Sequence, residues 1–207
     1  MDEVFCRIFK KKRWRGNRSV SGPGSDPEQT QVLIASLPAL FRDLEIKSIL
    51  DVPCGDFLWM RDVDLNAIRY TGADIVEEII QHNKEAYQRQ HVRFLRLNLV
   101  QDELPQVDLM LCRDGLVHLS FEDVFKSLNN MCKSKSRYLL ATTFTDREIN
   151  QDILSGQWRT LNLERPPFNL CRPMSVINEE CPHRNGIYAD KSLGLWRMDD
   201  VRVCLGS

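Results

Sequence analysis

The sequence lacks any long apolar run, since none of the apolar stretches in its 207 residues approaches the ~20 residues that a membrane-spanning helix needs. It also lacks an opening segment of basic and then apolar residues, which is typical of a secretion signal. These two absences predict a soluble, cytoplasmic protein with no membrane partner. An apolar fraction of 43% is nevertheless enough for one continuous core, which excludes a chain that is disordered throughout.

An excess of charge of one sign is missing as well. The 28 basic and 29 acidic residues give a net charge of −1, which disfavours a protein that binds nucleic acid over its whole surface. The seven cysteines follow no short repeated spacing. They predict neither a disulfide framework nor a metal site, and we expect reduced thiols.

The first 25 residues differ in composition from the rest of the chain. Seven basic residues lie between Arg7 and Arg18, and a stretch of Ser, Gly and Pro follows at residues 21–25. This composition predicts a basic arm and a Gly/Ser-rich cofactor-lid loop over residues 1–25, ahead of one domain over residues 26–207.

Regular structure is expected to begin at Asp26. Its side chain is of the type that caps a helix, and Pro27 suits the first helical position. The helix would present Leu33 and Leu37 on its apolar face. Pro38 lies inside the pattern, so we expect it to kink the helix or to divide it.

Short apolar strands then alternate with amphipathic segments, which predicts βαβ units and a sheet covered on both faces. The predicted strands cover residues 48–52, 69–74, 92–97, 107–112, 138–144, 175–180 and 192–198. The last two are close enough to pair through a turn at residues 183–186. We therefore predict an α/β fold with a doubly wound, mostly parallel seven-stranded sheet and an antiparallel C-terminal strand pair.

Polar side chains follow or end four of these strands. Asp51 ends the first strand, Asp74 ends the second, Asn98 follows the third and Asp114 follows the fourth. In an open α/β sheet the ligand lies beyond the carboxyl ends of the strands, where the strand order reverses. The spacing of 23 positions (74 − 51) places an acid where it would meet the hydroxyls of a bound ribose.

The turn after the first strand lacks the glycines that a dinucleotide's pyrophosphate requires. It contains Gly55 alone, Pro53 has no N–H to donate, and Asp56 adds a negative charge. A cationic nucleoside tolerates these carboxylates better. S-adenosylmethionine (SAM) is such a ligand, because it carries a sulfonium, an ammonium and a ribose.

Several segments resemble known motifs. Residues 48–56, 72–75 and 108–114, together with Asn98, resemble the ordered motifs of class I SAM-dependent methyltransferases. A closer likeness is to a group of small, mostly uncharacterised methyltransferases, and it rests on residues 19–25, 117–120, 161–163, 166–169 and 190–196. The resemblance covers about residues 19–200 and implies the Rossmann-like methyltransferase fold with SAM as the cofactor.

The same resemblance implies a cofactor site at the strand ends. Its members, grouped by the part of SAM that each meets, are Asp51, Pro53, Cys54 and Gly55 at the methionine end, Asp74 and Ile75 at the ribose and adenine, Asn98 and Leu99 beside the adenine, and Cys112 and Arg113 beneath the sulfonium. The chain departs from the common pattern in having Pro53 and Phe57 where glycine is usual, and Asn98 where aspartate is usual.

Two groups of residues are candidates for the transfer itself. Asp114 and His118 are four positions apart, so a helical turn would put them on one face. We predict that His118 takes a proton from a hydroxyl or an amine while Asp114 fixes its tautomer; the alternative is that His118 binds the backbone ahead of the helix that Ser120 caps. A long excursion at residues 145–172 predicts either a substrate lid or a loop that covers the sheet edge. The lid candidates are Trp158, Arg159, Asn162 and Phe168.

These observations predict a SAM-dependent methyltransferase that acts on an oxygen or nitrogen atom of a small-molecule acceptor. Two alternatives stay open. The departures at Pro53, Phe57 and Asn98 would suit a SAM-binding regulatory module with weak or no turnover. The basic arm, with Trp14 available to stack on a base, would suit an RNA methyltransferase.

Overall fold

A computed structural model describes residues 1–14, 16–181 and 186–206. Its centre is a seven-stranded sheet, whose strands are β1 Ser48–Asp51, β2 Arg69–Asp74, β3 Val92–Arg96, β4 Leu109–Cys112, β5 Tyr138–Phe144, β6 Ser175–Asn178 and β7 Lys191–Arg197. The strand order is β3-β2-β1-β4-β5-β7-β6. Strands β1 to β5 are parallel, and β7 runs antiparallel between β5 and β6. The predicted fold class is confirmed; residues 183–185 of the predicted turn lie outside the described residues.

The helices of the described chain are α1 Asp2–Lys10, α2 Gln31–Asp43, α3 Glu77–Tyr87, α4 Phe121–Lys133 and α5 Met198–Leu205. The predicted cap of α4 is confirmed, because the Asp123 N–H donates to Ser120 Oγ at 3.2 Å. Helix α2 runs through Pro38 without division. The Asp26 carboxylate does not cap a helix.

Helix α1 corrects the prediction that regular structure begins at Asp26. Acidic Asp2 and Glu3 lie in its first turn and basic Lys10 in its last, which is the favourable order for the helix dipole. Ile8 is buried. The basic composition of this segment concealed an apolar stripe that faces the rest of the protein.

Two apolar clusters cover the two faces of the sheet, because neighbouring residues of a strand point to opposite faces. Leu50 of β1 lies in the cluster that contains α4, whereas Ile49 lies in the cluster that contains α2. Strand β4 divides in the same way between Met110 and Leu111. Within the described ranges, no helix combines the length and the apolar character that crossing a membrane requires.

Candidate functional site

A cavity of about 590 Å³ lies at the carboxyl ends of β1, β2 and β4. Strands β1 and β4 are neighbours, and the strand order reverses between them. The cavity therefore occupies the position that open α/β sheets use for ligands. Helix α1 and the loop at residues 20–25 form its opposite wall.

Most of the predicted cofactor residues meet in this cavity. Those that line it are Asp51, Pro53, Cys54, Gly55, Asp74, Ile75, Leu99 and Arg113. Asn98 and Cys112 do not line it. The Asn98 amide donates to Asp2 Oδ1 at 2.8 Å and its carbonyl accepts from the Val100 N–H at 3.0 Å. Cys112 is fully buried, and burial raises the pKa of its thiol to about 12.

Asp51 is a buried carboxyl group at the end of β1. The Tyr70 hydroxyl donates to its Oδ2 at 2.5 Å. Burial raises the pKa of Asp51 to about 7, although the Tyr70 hydrogen bond and the charge of Arg113 both act in the opposite direction. An ionised Asp51 is therefore costly unless a positive charge in addition to Arg113 lies in the cavity.

Asp74 ends β2 and is held by backbone amides. The Val76 N–H donates to Oδ1 at 2.9 Å and the Gly55 N–H donates to Oδ2 at 3.2 Å. Burial raises the pKa of Asp74 to about 6, despite these two bonds. Each oxygen keeps a further lone pair with which it can accept a hydrogen bond from a ligand.

The loop at residues 19–25 is bound to the turn that follows β1. Ser19 Oγ donates to Asp56 Oδ2 at 2.8 Å, and the Asp56 N–H donates to Ser21 Oγ at 2.8 Å. Gly22 has a φ of +124°, which is closed to most other residues. A Cβ atom on Gly24 would lie 2.9 Å from Asp114 Oδ2, so a larger residue would displace the Asp114 carboxylate. The loop is thus a fitted part of the cavity wall.

The predicted basic arm is also engaged within the fold. Asp2 forms an ion pair with Arg96, and Lys10 Nζ lies 3.4 Å from Glu78 Oε1. The Trp14 ring stacks on the His118 ring, with centroids 4.0 Å apart and planes inclined by 27°. Trp14 is thus a half-buried part of the cavity wall, with one face of its ring covered by His118.

Four charged side chains form a cluster beneath the loop. Arg113 Nη2 lies 2.7 Å from Glu179 Oε2, and Lys191 Nζ lies 2.7 Å from Asp114 Oδ2 and 3.2 Å from Glu179 Oε2. Arg113 Nη2 also donates to the Gly24 carbonyl at 2.7 Å. Burial opposes the charge of Asp114, but Lys191 and Arg113 outweigh it and lower its pKa to about 2.

Sequence reasoning missed Glu179 and Lys191. Glu179 follows β6 and Lys191 begins β7, so their proximity to Arg113 depends on the place of the two strands in the sheet. Their burial is visible only in the structure, where Glu179 and Lys191 expose 3% and 6% of their surface. Charged residues of such low exposure are almost always paired.

His118 lies on the cavity wall, but its partner is not the predicted one. Its Nδ1 is 2.8 Å from the Gln157 carbonyl oxygen, whereas the Asp114 carboxylate binds Lys191. The reason is local: Asp114 has a φ of +53° and a 3₁₀ turn follows at Leu116–His118, so the α-helical spacing does not apply. Burial lowers the pKa of His118 to about 4, although the nearby charge of Asp114 raises it in part.

Of the four predicted lid residues, only Trp158 lines the cavity. Arg159 donates to the carbonyls of Leu116 and Leu119, each at 2.9 Å. The other two also hold the excursion in place: Asn162 donates to the Thr145 and Arg147 carbonyls, and Phe168 packs edge-on against Phe121 at 5.2 Å. The structure thus places Arg159, Asn162 and Phe168 away from the cavity, with their side chains bound within the excursion, to the segment before α4 or to α4 itself, and their substrate roles stay a prediction that this arrangement does not favour.

The cysteines and the potential metal ligands were also located. All seven cysteines are free thiols. In the part of the chain that the structure describes, no group of His, Cys, Asp and Glu side chains is arranged to hold a metal ion.

Comparison with known proteins agrees with this geometry. Residues 50–140 match a family described as a methyltransferase domain. No curated protein matches the sequence.

Solved structures share the fold at low identity. The N-methyltransferase NodS from Bradyrhizobium japonicum matches 84% of this chain and 98% of its own, at 13% identity and a TM-score of 0.61. Human N-acetylserotonin methyltransferase in complex with SAM matches 94% of this chain at 13% identity and a TM-score of 0.58; the chain spans 59% of its length. Magnesium protoporphyrin IX methyltransferase from Synechocystis, with bound S-adenosylhomocysteine (SAH), matches 70% of this chain and 69% of its own, at 15% identity and a TM-score of 0.51.

Proposed function

From the premise that this chain has the class I SAM-dependent methyltransferase fold, with a methyltransferase domain over residues 50–140, we propose that it transfers a methyl group from SAM to an oxygen or nitrogen atom of a small molecule. One observation carries the proposal: the ends of β1, β2 and β4 bring Asp51, Asp74 and Arg113 to a single cavity. The narrower likeness to a group of small methyltransferases stays a prediction.

The residues of the cavity fit SAM. Its volume of about 590 Å³ lies within the range of small-molecule sites, roughly 300–1,000 Å³. Asp74 would accept hydrogen bonds from the ribose hydroxyls, Asp51 would bind the ammonium group, and Ile75 and Leu99 would contact the adenine. When bound, SAM supplies a methyl group on a sulfonium, which is a good leaving group.

His118 is suited to accept a proton from the methyl acceptor. Its ring is neutral near pH 7 because burial lowers its pKa to about 4. With Nδ1–H donating to the Gln157 carbonyl, Nε2 keeps its lone pair. Positioning of the acceptor and this proton transfer are the two contributions that the chain itself makes to the reaction.

Two features support a small molecule over RNA. The Trp14 ring already stacks on His118, which leaves less of it to stack on a base. Two of the structural neighbours described above carry the names of small substrates, N-acetylserotonin and magnesium protoporphyrin IX, which agrees with a cavity of this size.

A second candidate is a regulatory module that binds SAM without turnover. The observation that favours it is the Asn98 side chain, which is bound to Asp2 and Val100 and not directed to the cavity. Binding of SAM with no product across a wide range of acceptors would distinguish this candidate from the enzyme.

Thermal unfolding with SAM or SAH tests the proposal. At a concentration of 100 times its Kd, a ligand that binds only the folded state adds about 2.7 kcal/mol to the free energy of unfolding, so Tm should rise by several degrees. ATP serves as the control, because it shares the adenosine but lacks the ammonium group that Asp51 would bind. Absence of any shift at millimolar SAM and SAH would contradict SAM binding.

We expect Asp74→Ala to weaken SAH binding by about 10- to 100-fold, since it removes two charge-assisted hydrogen bonds to the ribose. The free energy of these bonds is partly cancelled by the cost of removing water from the carboxylate. Titration calorimetry measures the change. Asp62→Ala is the matched control, because Asp62 is an exposed acid outside the cavity. An unchanged Kd in Asp74→Ala would mean that the ribose lies elsewhere.

A chain that begins at Asp26 is expected to bind SAH at least tenfold more weakly than the full chain. It lacks α1 and the loop that Asp56 and Arg113 hold against the cavity. Circular dichroism checks that the sheet still forms. In the full chain, SAH should also protect residues 19–25 from protease, and equal affinity of the two chains would show that this segment is only a tether.

His118→Asn is expected to lower kcat by about 10²- to 10⁴-fold if the acceptor must lose a proton, because it removes the base. The Kd of SAH should stay within a factor of two, roughly, since the ring is not among the residues assigned to the cofactor.

In the native protein, kcat should be level between about pH 5.5 and 8, because His118 is neutral throughout this range. Rates of SAH formation over a set of hydroxyl and amine acceptors measure both effects. A change of kcat with pH centred near pH 6.5 that disappears in His118→Asn would contradict the prediction that the His118 ring is neutral.

A further inference from the structure

Three aromatic side chains form one wall of the cavity. Trp158 and Tyr188 have ring centroids 5.2 Å apart, and each packs on Phe144, at 6.2 and 6.0 Å. The three interplanar angles lie between 70° and 83°, so the rings meet edge to face. Trp158 is 42% exposed, and all three rings line the cavity.

This aromatic wall adjoins the groups that would perform the transfer. Trp158 directly follows Gln157, whose carbonyl oxygen lies 2.8 Å from His118 Nδ1. Phe144 is the register partner of Lys191 in the β5–β7 pair. A planar molecule held against the wall therefore has a neutral imidazole and a buried ammonium group beside it.

The charges near the wall favour an acceptor that gains negative charge as it reacts. Lys191 and Arg113 both lie on the cavity, and SAM would add its own positive charge there. Glu179 and Asp114 balance these two cations, so the preference is local: the Lys191 ammonium group stabilises a developing oxyanion beside it, and the positive charge of bound SAM disfavours a cationic acceptor.

We propose that the methyl acceptor is a planar aromatic compound with an ionisable hydroxyl group, that is, a phenol; this inference rests on the function proposed above. His118 Nε2 takes the hydroxyl proton, the phenolic oxygen forms a bond to the methyl carbon, and the carbon–sulfur bond breaks with its electron pair left on sulfur. The products are the methyl ether, the neutral thioether SAH and a proton that passes from His118 to solvent.

A phenol suits this base better than an aliphatic alcohol does. Burial lowers the pKa of His118 to about 4, so the imidazole is a weak base. Such a base is better matched to a phenol, whose pKa is about 10 as in tyrosine, than to an aliphatic hydroxyl near the value of about 15.7 for water.

Binding to the SAH-saturated full chain tests the inference by calorimetry. The probes are phenol, catechol and 2-naphthol, each paired with its saturated counterpart: cyclohexanol, cyclohexane-1,2-diol and decahydro-2-naphthol. Benzylamine provides a cationic ring. We expect at least one phenol to bind about tenfold more tightly than its saturated counterpart and than benzylamine, and to be methylated when SAM replaces SAH.

Substitutions at Trp158 show whether the wall is responsible. Trp158→Ala should raise the Kd and KM of that phenol about tenfold, and Trp158→Phe should restore most of the loss, with the Kd of SAH unchanged in both. Ile149→Ala is the control, because Ile149 is 80% exposed on the same excursion and does not line the cavity.

The outcomes separate this inference from the function on which it rests. If SAH does not bind, the proposed function fails. If SAH binds but no phenol binds more tightly than its saturated counterpart, if benzylamine binds best, or if Trp158→Ala leaves the Kd of the phenol unchanged, the phenol inference is overturned while the methyltransferase proposal stands.

Discussion

Replacing Asp51 with asparagine is expected to stabilise the ligand-free protein near pH 8 and to weaken SAM binding by about 10- to 100-fold. Both effects arise from one buried carboxyl group at the end of β1. Asparagine keeps the acceptor for the Tyr70 hydroxyl but carries no charge that must be desolvated.

The sign of the stability effect follows from the direction of the pKa shift. Burial raises the pKa of Asp51 from 3.8 to about 7, so the folded state favours the protonated form. The carboxyl group is therefore neutral in the folded protein at low pH. The free energy of unfolding falls as pH rises from 3.8, the pKa of Asp51 in the unfolded chain, to about 7. That difference corresponds to roughly 4 kcal/mol, of which we expect Asp51→Asn to recover about 1 to 3 kcal/mol.

Thermal unfolding at two pH values measures this effect. Near pH 8, Asp51→Asn should raise Tm by roughly 3 to 10 °C. Near pH 4 the variant and the native protein should have nearly the same Tm. Glu103→Gln, at an exposed position, is the control that should show no such pH dependence. A lower Tm of Asp51→Asn near pH 8 would show that Asp51 is stabilising as an ion.

The affinity of the native protein for SAM should increase with pH, whereas the contribution of Asp51 to stability decreases with pH. The ammonium and ribose hydroxyls need ionised Asp51 and Asp74, whose pKa values are raised by burial to about 7 and about 6. SAH affinity should therefore increase from about pH 5 to 8, and this increase should be smaller in Asp51→Asn.

The second large effect is expected from Glu179→Gln, which should lower the free energy of unfolding by about 3 to 5 kcal/mol. Glu179 balances both Arg113 and Lys191, and its side chain is 1% exposed. The substitution leaves two buried cations with only Asp114 as a counter-charge. Removal of one member of such a group costs more than the group itself contributes, because the remaining charge stays buried.

Chemical denaturation of single and double variants tests this expectation. Asp199→Asn removes an ion pair to Arg202 whose acidic side chain is 85% exposed, and should change stability by less than about 1 kcal/mol. Arg113→Met combined with Glu179→Leu should lose less stability than the sum of the two single changes, since no uncompensated charge from the pair remains. An additive result, or a Glu179→Gln variant as stable as the native protein, would contradict the coupling.

Local patterns in the sequence determined the strands and the cofactor end of the site. Each strand is a short apolar run whose position depends on its own residues, so all seven were predicted to within two residues at each end. Parallel order brings strand ends to one edge, which predicted that Asp51, Asp74 and Asp114 lie together; these three line the cavity, whereas Asn98 does not. Arg113 entered the predicted site through the family resemblance alone, and it lines the same cavity.

Only the tertiary structure decided the remainder, because it depends on residues far apart in the chain. Helix α1 closes the cavity by packing on strand ends about a hundred positions away, as in the contact between Asp2 and Asn98. His118 takes its orientation from Gln157 and not from its neighbour Asp114, since the backbone between Asp114 and His118 is not α-helical. Glu179 and Lys191 reach Arg113 because β7 reverses direction beside β5. Long-range pairing of this kind leaves no pattern in the sequence. A strand and its end do leave one, as a short apolar run followed by a polar residue.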